Sequence, residues 1–247
     1  MRRLPALLVL AGLCAPGVAA RELQLGVENF YYRTAETRLN RGNPLGLSGH
    51  EDLLRATLHW REDVREDLRV VVRGYVQRRL GQRGETDWKA RQAYVQWSAG
   101  EFATVRVGRQ RIAWGSGLAW NPTNRVEAPK NPLNVSLEQQ GSLAVRVDLV
   151  PFPWAGIILV AARSEIESAD LPFAVQAPHR RTGAVRARLL VRDTDVGLVL
   201  SGGSAQPSLV GLDLGRTVGE VALHAEGAVY GGAEMAPARD RRFLRVA

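Results

Sequence analysis

The chain has 247 residues, a single cysteine and a formal charge of +8. Its only lysines are Lys89 and Lys130, so arginine carries nearly all of the positive charge. That charge does not point to nucleic acid, because no compact basic recognition element stands anywhere in the sequence. One cysteine leaves no partner for an intramolecular disulfide.

The first twenty residues, 1–20, read as an export signal. Arg2 and Arg3 give a positive start, Leu7 to Leu13 an apolar core, and Val18-Ala19-Ala20 a small-residue cleavage site. Cleavage is expected after Ala20, so the mature chain begins near Arg21 and loses the charges of Arg2 and Arg3, leaving +6 from the +8. Cys14 lies inside this segment behind Leu13, which is not the small residue a lipoprotein signal requires. The mature chain then has no thiol and no cysteine-based metal site. The most apolar later stretch, Leu149 to Ala162, is interrupted by Pro151 and Pro153, whereas a membrane-spanning helix needs about 20 apolar residues.

Residues 21–247 fall into short alternating segments, the period-two pattern of strands with one apolar and one polar face. Strand one, 22–33, sets Leu23, Leu25, Val27 and Tyr31 against Gln24, Gly26 and Glu28. Strand two, 53–61, sets Ala56, Leu58 and Trp60 against Arg55, Thr57, His59 and Arg61. Strand three, 68–78, sets Val70, Val72 and Val76 against Arg69, Arg73 and Gln77. Strand four, 88–98, sets Ala93, Val95 and Trp97 against Gln92, Tyr94 and Gln96. Strand five, 103–112, sets Val105 and Val107 against Arg106, Gly108 and Gln110. Strand six, 141–150, sets Leu143, Val145, Val147 and Leu149 against Arg146 and Asp148, and strand seven covers 155–164. Strand eight, 180–192, sets Val185, Ala187, Leu189 and Val191 against Arg186, Arg188 and Arg192. Strands nine, 195–202, and ten, 208–216, precede strand eleven, 219–231, where Val221, Leu223, Ala225 and Val229 oppose His224, Glu226 and Tyr230. A twelfth strand starts near Arg241.

The connections alternate in length. Tight turns follow strands two, four, six, eight and ten, at Glu62 to Asp67, Ala99 to Phe102, Pro151 to Trp154, Asp193-Thr194 and Val218-Gly219. Longer connections follow strands one, three, five, seven and nine, at 34–52, 79–87, 113–140, 165–179 and 203–207. Short periplasmic turns and long outer loops are the arrangement of outer-membrane barrels, whose apolar face meets lipid and whose polar face lines a lumen. Aromatic residues fit that reading: Trp60, Trp97, Phe102, Phe152 and Trp154 cluster at the short-turn ends, and Tyr31, Tyr32, Trp88 and Tyr230 lie towards the other rim. The expected fold is therefore an all-β, antiparallel transmembrane β-barrel of about 12 or more strands. Arg55, Arg73, Arg106, Arg146, Arg186 and Arg188 are expected to face the lumen, and Leu58, Val72, Val107, Val145, Leu189 and Leu223 the lipid.

One stretch breaks the alternation, from Gly108-Arg109-Gln110-Arg111-Ile112 through Trp114-Gly115-Ser116-Gly117 to Trp120-Asn121-Pro122-Thr123-Asn124. Gly115 and Gly117 allow sharp bends, and Asn121-Pro122 starts a turn. Connections longer than about 12–15 residues inside a compact fold usually serve function or are disordered, and two tryptophans argue for order. Part of this loop is expected to fold inward and narrow the lumen. Trp114, Gly115, Gly117, Trp120, Asn121 and Pro122 would shape the loop, and Arg109, Arg111 and Asn124 would stand at the constriction beside Arg106 and Arg146. The run Gly-Arg-Gln-Arg-Ile, then Trp-Gly-x-Gly, then Asn-Pro-Thr-Asn, resembles porin-like outer-membrane barrels of little-characterised families, including those related to alginate-export barrels. The resemblance covers about seventeen residues, and Asn124 stands where the family pattern has Asp.

No enzyme is expected. The histidines, His50, His59, His179 and His224, form no zinc-spaced pair, and Gly115-Ser116-Gly117 is too compact for a nucleophile elbow. No cofactor and no metal are implied. The leading reading is a bacterial outer-membrane channel for passive diffusion of small hydrophilic or anionic solutes, its preference set by lumen arginines. The alternative is a plugged assembly or anchoring barrel that binds surface polysaccharide or a partner. The expected partners are outer-membrane lipid and the barrel-assembly machinery. The run Arg242-Phe243-Leu244-Arg245-Val246 is shorter than the 9–11 residues of a spanning strand and lacks a terminal aromatic, so either further strands beyond Ala247 or a sheet with an exposed edge at strands one and eleven or twelve is expected.

Overall fold

The computed structural model describes residues 6–10, 21–33, 50–80, 86–115, 122–124, 126–127, 140–164, 180–204, 206–231 and 242–246. Every regular element among them is a β-strand. In chain order come β2 (Arg21–Arg33), β3 (His50–Arg65), β4 (Leu68–Leu80), β5 (Thr86–Ala99), β6 (Ala103–Gln110), β7 (Ser142–Phe152) and β8 (Ala155–Ser164). They continue as β9 (Arg180–Val191), β10 (Thr194–Gly203), β11 (Gln206–Val218) and β12 (Val221–Gly231). Two short strands flank these eleven, β1 (Ala6–Leu10) and β13 (Arg242–Val246). Strand order follows chain order, each strand bonded to its sequence neighbours. Wherever the register is defined, the pairing is antiparallel. No helix among the described residues is long and apolar enough to cross a membrane.

The chain divides into two compact units, Met1–Ala93 and Tyr94–Ala247, with the boundary inside β5. In the first, β3 pairs β2 and β4 in long ladders, with Leu58 opposite both Leu25 and Gly74. Ala6–Leu10, within the predicted export signal, runs antiparallel to Leu23–Val27 of β2. The second unit holds the remaining ladders, β6 through β13.

The strands extend further than alternation alone suggests. β3 runs to Arg65 because a register shift between Asp63 and Arg65 takes up one residue before the Glu66-Asp67 turn. Likewise Pro151 and Phe152, expected in a turn, belong to β7. Pro151 cannot donate to a ladder, and it sits where the β7–β8 register shifts between Leu149 and Phe152. The hairpin closes with Phe152 opposite Ala155, and the Phe152 and Trp154 rings stack at 5.1 Å. Conversely β6 stops at Gln110, where the chain leaves the sheet. The connection expected at 203–207 is shorter, since β11 already starts at Gln206. The other long connections, 34–49, 81–85 and 165–179, lie outside the described residues.

The two faces of the sheet differ chemically. In the second unit, Val107, Leu143, Val145, Ile157, Leu159, Val185, Leu189, Leu198, Leu200, Val210, Leu212, Leu223 and Val229 are all exposed, with Leu189 43% and Leu223 54% accessible. On the opposite face Ala144, Val160, Ala184, Val199, Asp213 and Glu226 are buried. The first unit repeats this: Leu58 and Val76 are exposed while Arg55, Val71 and Tyr75 are buried. Successive side chains of a strand point to opposite faces, so these sets follow directly from the sequence alternation.

Candidate functional site

The candidate site is the segment that follows β6, together with the polar face of the second unit on which it lies. Its seat is made of small residues: Ala144, Ala162, Ala184 and Ala228, with Val160, Val199, Leu209 and Tyr230 around them, pack with Ile112, Trp114 and Val126 of the segment. Trp114 is only 2% exposed. Gly211 completes the seat, since a Cβ there would come within 2.8 Å of Thr123 Cγ2. A row of alanines and a glycine leaves the depth that a tryptophan fills. Burying such a side chain contributes about 1.5–3 kcal/mol by area.

Polar contacts fix the segment from two sides. Glu226 of β12 accepts hydrogen bonds from Thr123 N at 3.0 Å and from the Thr123 hydroxyl. The Tyr230 hydroxyl donates to the Pro122 carbonyl. Within the segment, Glu127 accepts from Ile112 N, and the Arg111 guanidinium lies 3.5 Å from the same carboxylate. Asn124 ties the two arms together, donating to the Ile112 carbonyl at 2.9 Å and accepting from Val126 N at 3.2 Å. Ser142, at the start of β7, donates to the Val126 carbonyl at 2.9 Å. Gly115 holds φ +78°, and a Cβ at this position would overlap the Glu226 carboxylate. Glycine is required there twice over, by backbone angle and by space.

Below the segment a cavity of about 410 Å³ opens beside Ala113 and Gly115, walled by Arg186, Arg188, Asp195, Asp213 and His224. Four of its charges form two pairs. Arg186 meets Asp213 at 2.8 Å, both largely buried, and Arg188 forks onto both oxygens of Asp195 at 2.9 and 2.8 Å. Gly197 makes room for the first pair, because a Cβ there would overlap the Asp213 carboxylate. Further along the same face Arg106 stands directly opposite Arg146. Each of these turns to a neighbour, Arg106 to Gln96 at 2.9 Å and Arg146 to Asp148 at 2.8 Å. The Asp148 carboxylate beside Arg146 offsets the repulsion between these opposed like charges.

The residues singled out by sequence are thus distributed as follows. Arg106, Arg146, Arg186 and Arg188 share the polar face of the second unit, and Arg111 and Asn124 belong to the loop. Arg109 lies on the face of Val105 and Val107, opposite Leu143, and bonds the Gly141 carbonyl at 3.0 Å. Arg55 and Arg73 belong to the first unit, where Arg55 bonds Gln77 at 2.7 Å and lies 4.5 Å over the Tyr75 ring. The Arg91 guanidinium is 4.6 Å over the same ring. Trp114, Gly115 and Pro122 are described and packed, whereas Gly117, Trp120 and Asn121 lie outside the described residues. Sequence reasoning did not single out Glu226, Tyr230, Glu127 or Asp213 as site residues. The available signal was parity, which puts Glu226 and Tyr230 on the polar face of strand eleven. Among the described residues no group of three or more His, Cys, Asp or Glu side chains is placed to hold a metal ion. No protein-family model and no curated protein matches this chain.

Proposed function

We propose that the chain forms the wall of a porin-like transmembrane β-barrel, seated in a bacterial outer membrane after export, in which the 111–127 segment narrows a channel for small hydrophilic solutes. The observation that carries this reading is the inversion of the two faces. Leucines and valines stand exposed in row after row of β7 to β12, while arginines, carboxylates and a buried loop occupy the other side. In water such an extended apolar surface is a liability, and contiguous patches of more than a few hundred Å² mark contact with membrane or partner. In lipid the same surface is the stable one, and every polar group belongs on the other side. The export signal read in the sequence and the resemblance to porin-like barrels agree with this.

Because Arg146, Arg186 and Arg188 each face a carboxylate, the pore wall carries neighbouring charges of both signs. A weak anion preference follows, well short of that of an unpaired arginine ring. Conductance of the purified chain in a planar bilayer tests the channel. Discrete openings, with a reversal potential in a salt gradient displaced slightly towards anions, are expected; cation preference contradicts the assignment of the lumen. The depth of the Trp114 seat favours a second reading, a barrel closed by its own loop that serves as an anchor. A folded, bilayer-inserted chain with no conductance selects it.

A further inference from the structure

The cavity beside Ala113 and Gly115 has a wall whose charges cancel. Arg186, Arg188 and Arg216 line it together with Asp193, Asp195 and Asp213, three cations against three anions around about 410 Å³. That volume lies inside the roughly 300–1,000 Å³ of small-molecule sites. The ladders explain the arrangement. Arg188 of β9, Gly197 of β10 and Asp213 of β11 share one cross-strand row, and the next row holds Leu190, Asp195, Gly215 and His224. The polar side chains thus face one another over two glycines. A Cβ at Gly197 would overlap the Asp213 carboxylate, and one at Gly215 would stand 3.3 Å from His224 Nδ1. The Arg186 and Asp213 side chains are 15% and 11% exposed, those of Arg188 and Asp195 54% and 34%. One ion pair therefore sits at the bottom and the other at the mouth. Each guanidinium turns Nε and one terminal nitrogen to its carboxylate, Arg186 at 3.3 and 2.8 Å and Arg188 at 2.9 and 2.8 Å. A guanidinium has five N–H donors and a carboxylate about four lone-pair sites. Either pair keeps donors and acceptors side by side after its own bonds are made.

We propose that this cavity is a binding subsite for a neutral, hydroxyl-rich solute, a sugar or polyol in chemical class. The inference rests on the channel reading above and deepens it by naming the solute. A hydroxyl both donates and accepts, so adjacent hydroxyls serve the guanidinium and the carboxylate of one pair while the pair stays intact. An ionic solute competes instead. A carboxylate displaces Asp195 from Arg188, an ammonium displaces Arg188 from Asp195, and either leaves a wall charge without its partner, the costly outcome in a partly buried site. An ether-rich solute offers acceptors only and leaves the carboxylates unserved. With the charge of the wall balanced, no one-sign field draws ions in to offset that cost.

Saturation-transfer NMR titrations of the full chain in lauryldimethylamine oxide micelles test the proposal with three probes. Lactitol is a neutral disaccharide alditol, lactobionate carries the same skeleton with a terminal carboxylate, and tetraethylene glycol dimethyl ether has acceptors alone. Lactitol binds saturably, lactobionate at least about tenfold more weakly, and the ether gives no saturable signal. The double variant Arg188→Leu/Asp195→Leu keeps the charge balance, removes the pair at the mouth and weakens lactitol binding at least about tenfold. Ala113→Leu, at an exposed position of the segment, takes up cavity space away from the ladders and weakens it comparably. Equal binding of all three probes, tighter binding of lactobionate, or lactitol affinity unchanged in both variants overturns the proposal. Heat-modifiable migration on a gel reports the folding of each variant, and planar-bilayer conductance of the same samples reports the channel separately. Conductance without saturable lactitol binding overturns this inference alone, whereas lactitol binding without conductance overturns the channel reading and supports the site.

Discussion

Gly115 and Glu226 show how a few residues set the position of the loop. A positive φ and a carboxylate in the space of the missing side chain leave no room for another residue at Gly115. Gly115→Ala is expected to cost about 1–3 kcal/mol in backbone strain and displacement. Trp114→Ala, which empties the seat, should cost about 3–5 kcal/mol. Both effects are readable as lower urea midpoints of the assembled chain. Both variants should also raise single-channel conductance, because the segment no longer packs on the wall; unchanged conductance in a destabilised Trp114→Ala variant would show that the segment does not narrow the pore. The bend at Gly115 was legible in the sequence, as was the apolar anchor. The partner was not: Thr123 and Glu226 are 103 residues apart, and nothing local to either marks the other. Asn124 carries the same lesson. Its position suggested a lumen group, yet its side chain is taken up by Ile112, Val126 and Glu127 of its own loop.

Strands were the most legible elements, because a period of two writes the two faces directly into the sequence. The β9 run from Val185 to Val191 needs no structure to be sorted into Leu189 and Arg188 sides. Boundaries were less legible, because bulges absorb residues without breaking a ladder, as at Asp63/Arg65 and Leu149/Phe152. Parity also places Arg109 with Val107, a consequence hidden by its nearness to the loop. The cost of a misplaced charge gives the test at this scale. Leu189→Arg puts a guanidinium in the apolar band, where it costs about 2–4 kcal/mol at mid-depth. The expected outcome is a sharp fall in heat-modifiable, assembled protein, with Arg188→Leu far better tolerated. Equal assembly of Leu189→Arg and wild type would reverse the assignment of the faces.

At the scale of the whole molecule, each unit carries an apolar face and a polar one, and in the second unit the paired charges and the seated loop share the polar face. Fold class was readable because alternation recurs in nearly every segment. Solute was not, because three arginines of the polar face, Arg146, Arg188 and Arg186, are compensated by Asp148, Asp195 and Asp213, which weakens their summed field. The sole cysteine is Cys14, so with Cys14→Ser single cysteines can be placed one at a time in an otherwise thiol-free chain. The most direct measurement is a scan of positions 185–190 in β9, each cysteine labelled with an environment-sensitive fluorophore and challenged in bilayers with brominated lipid. Quenching that alternates residue by residue, strong at 185, 187 and 189 and weak at 186, 188 and 190, is the predicted result. Quenching that is uniform, or that alternates in the opposite phase, would contradict a barrel whose apolar face meets lipid.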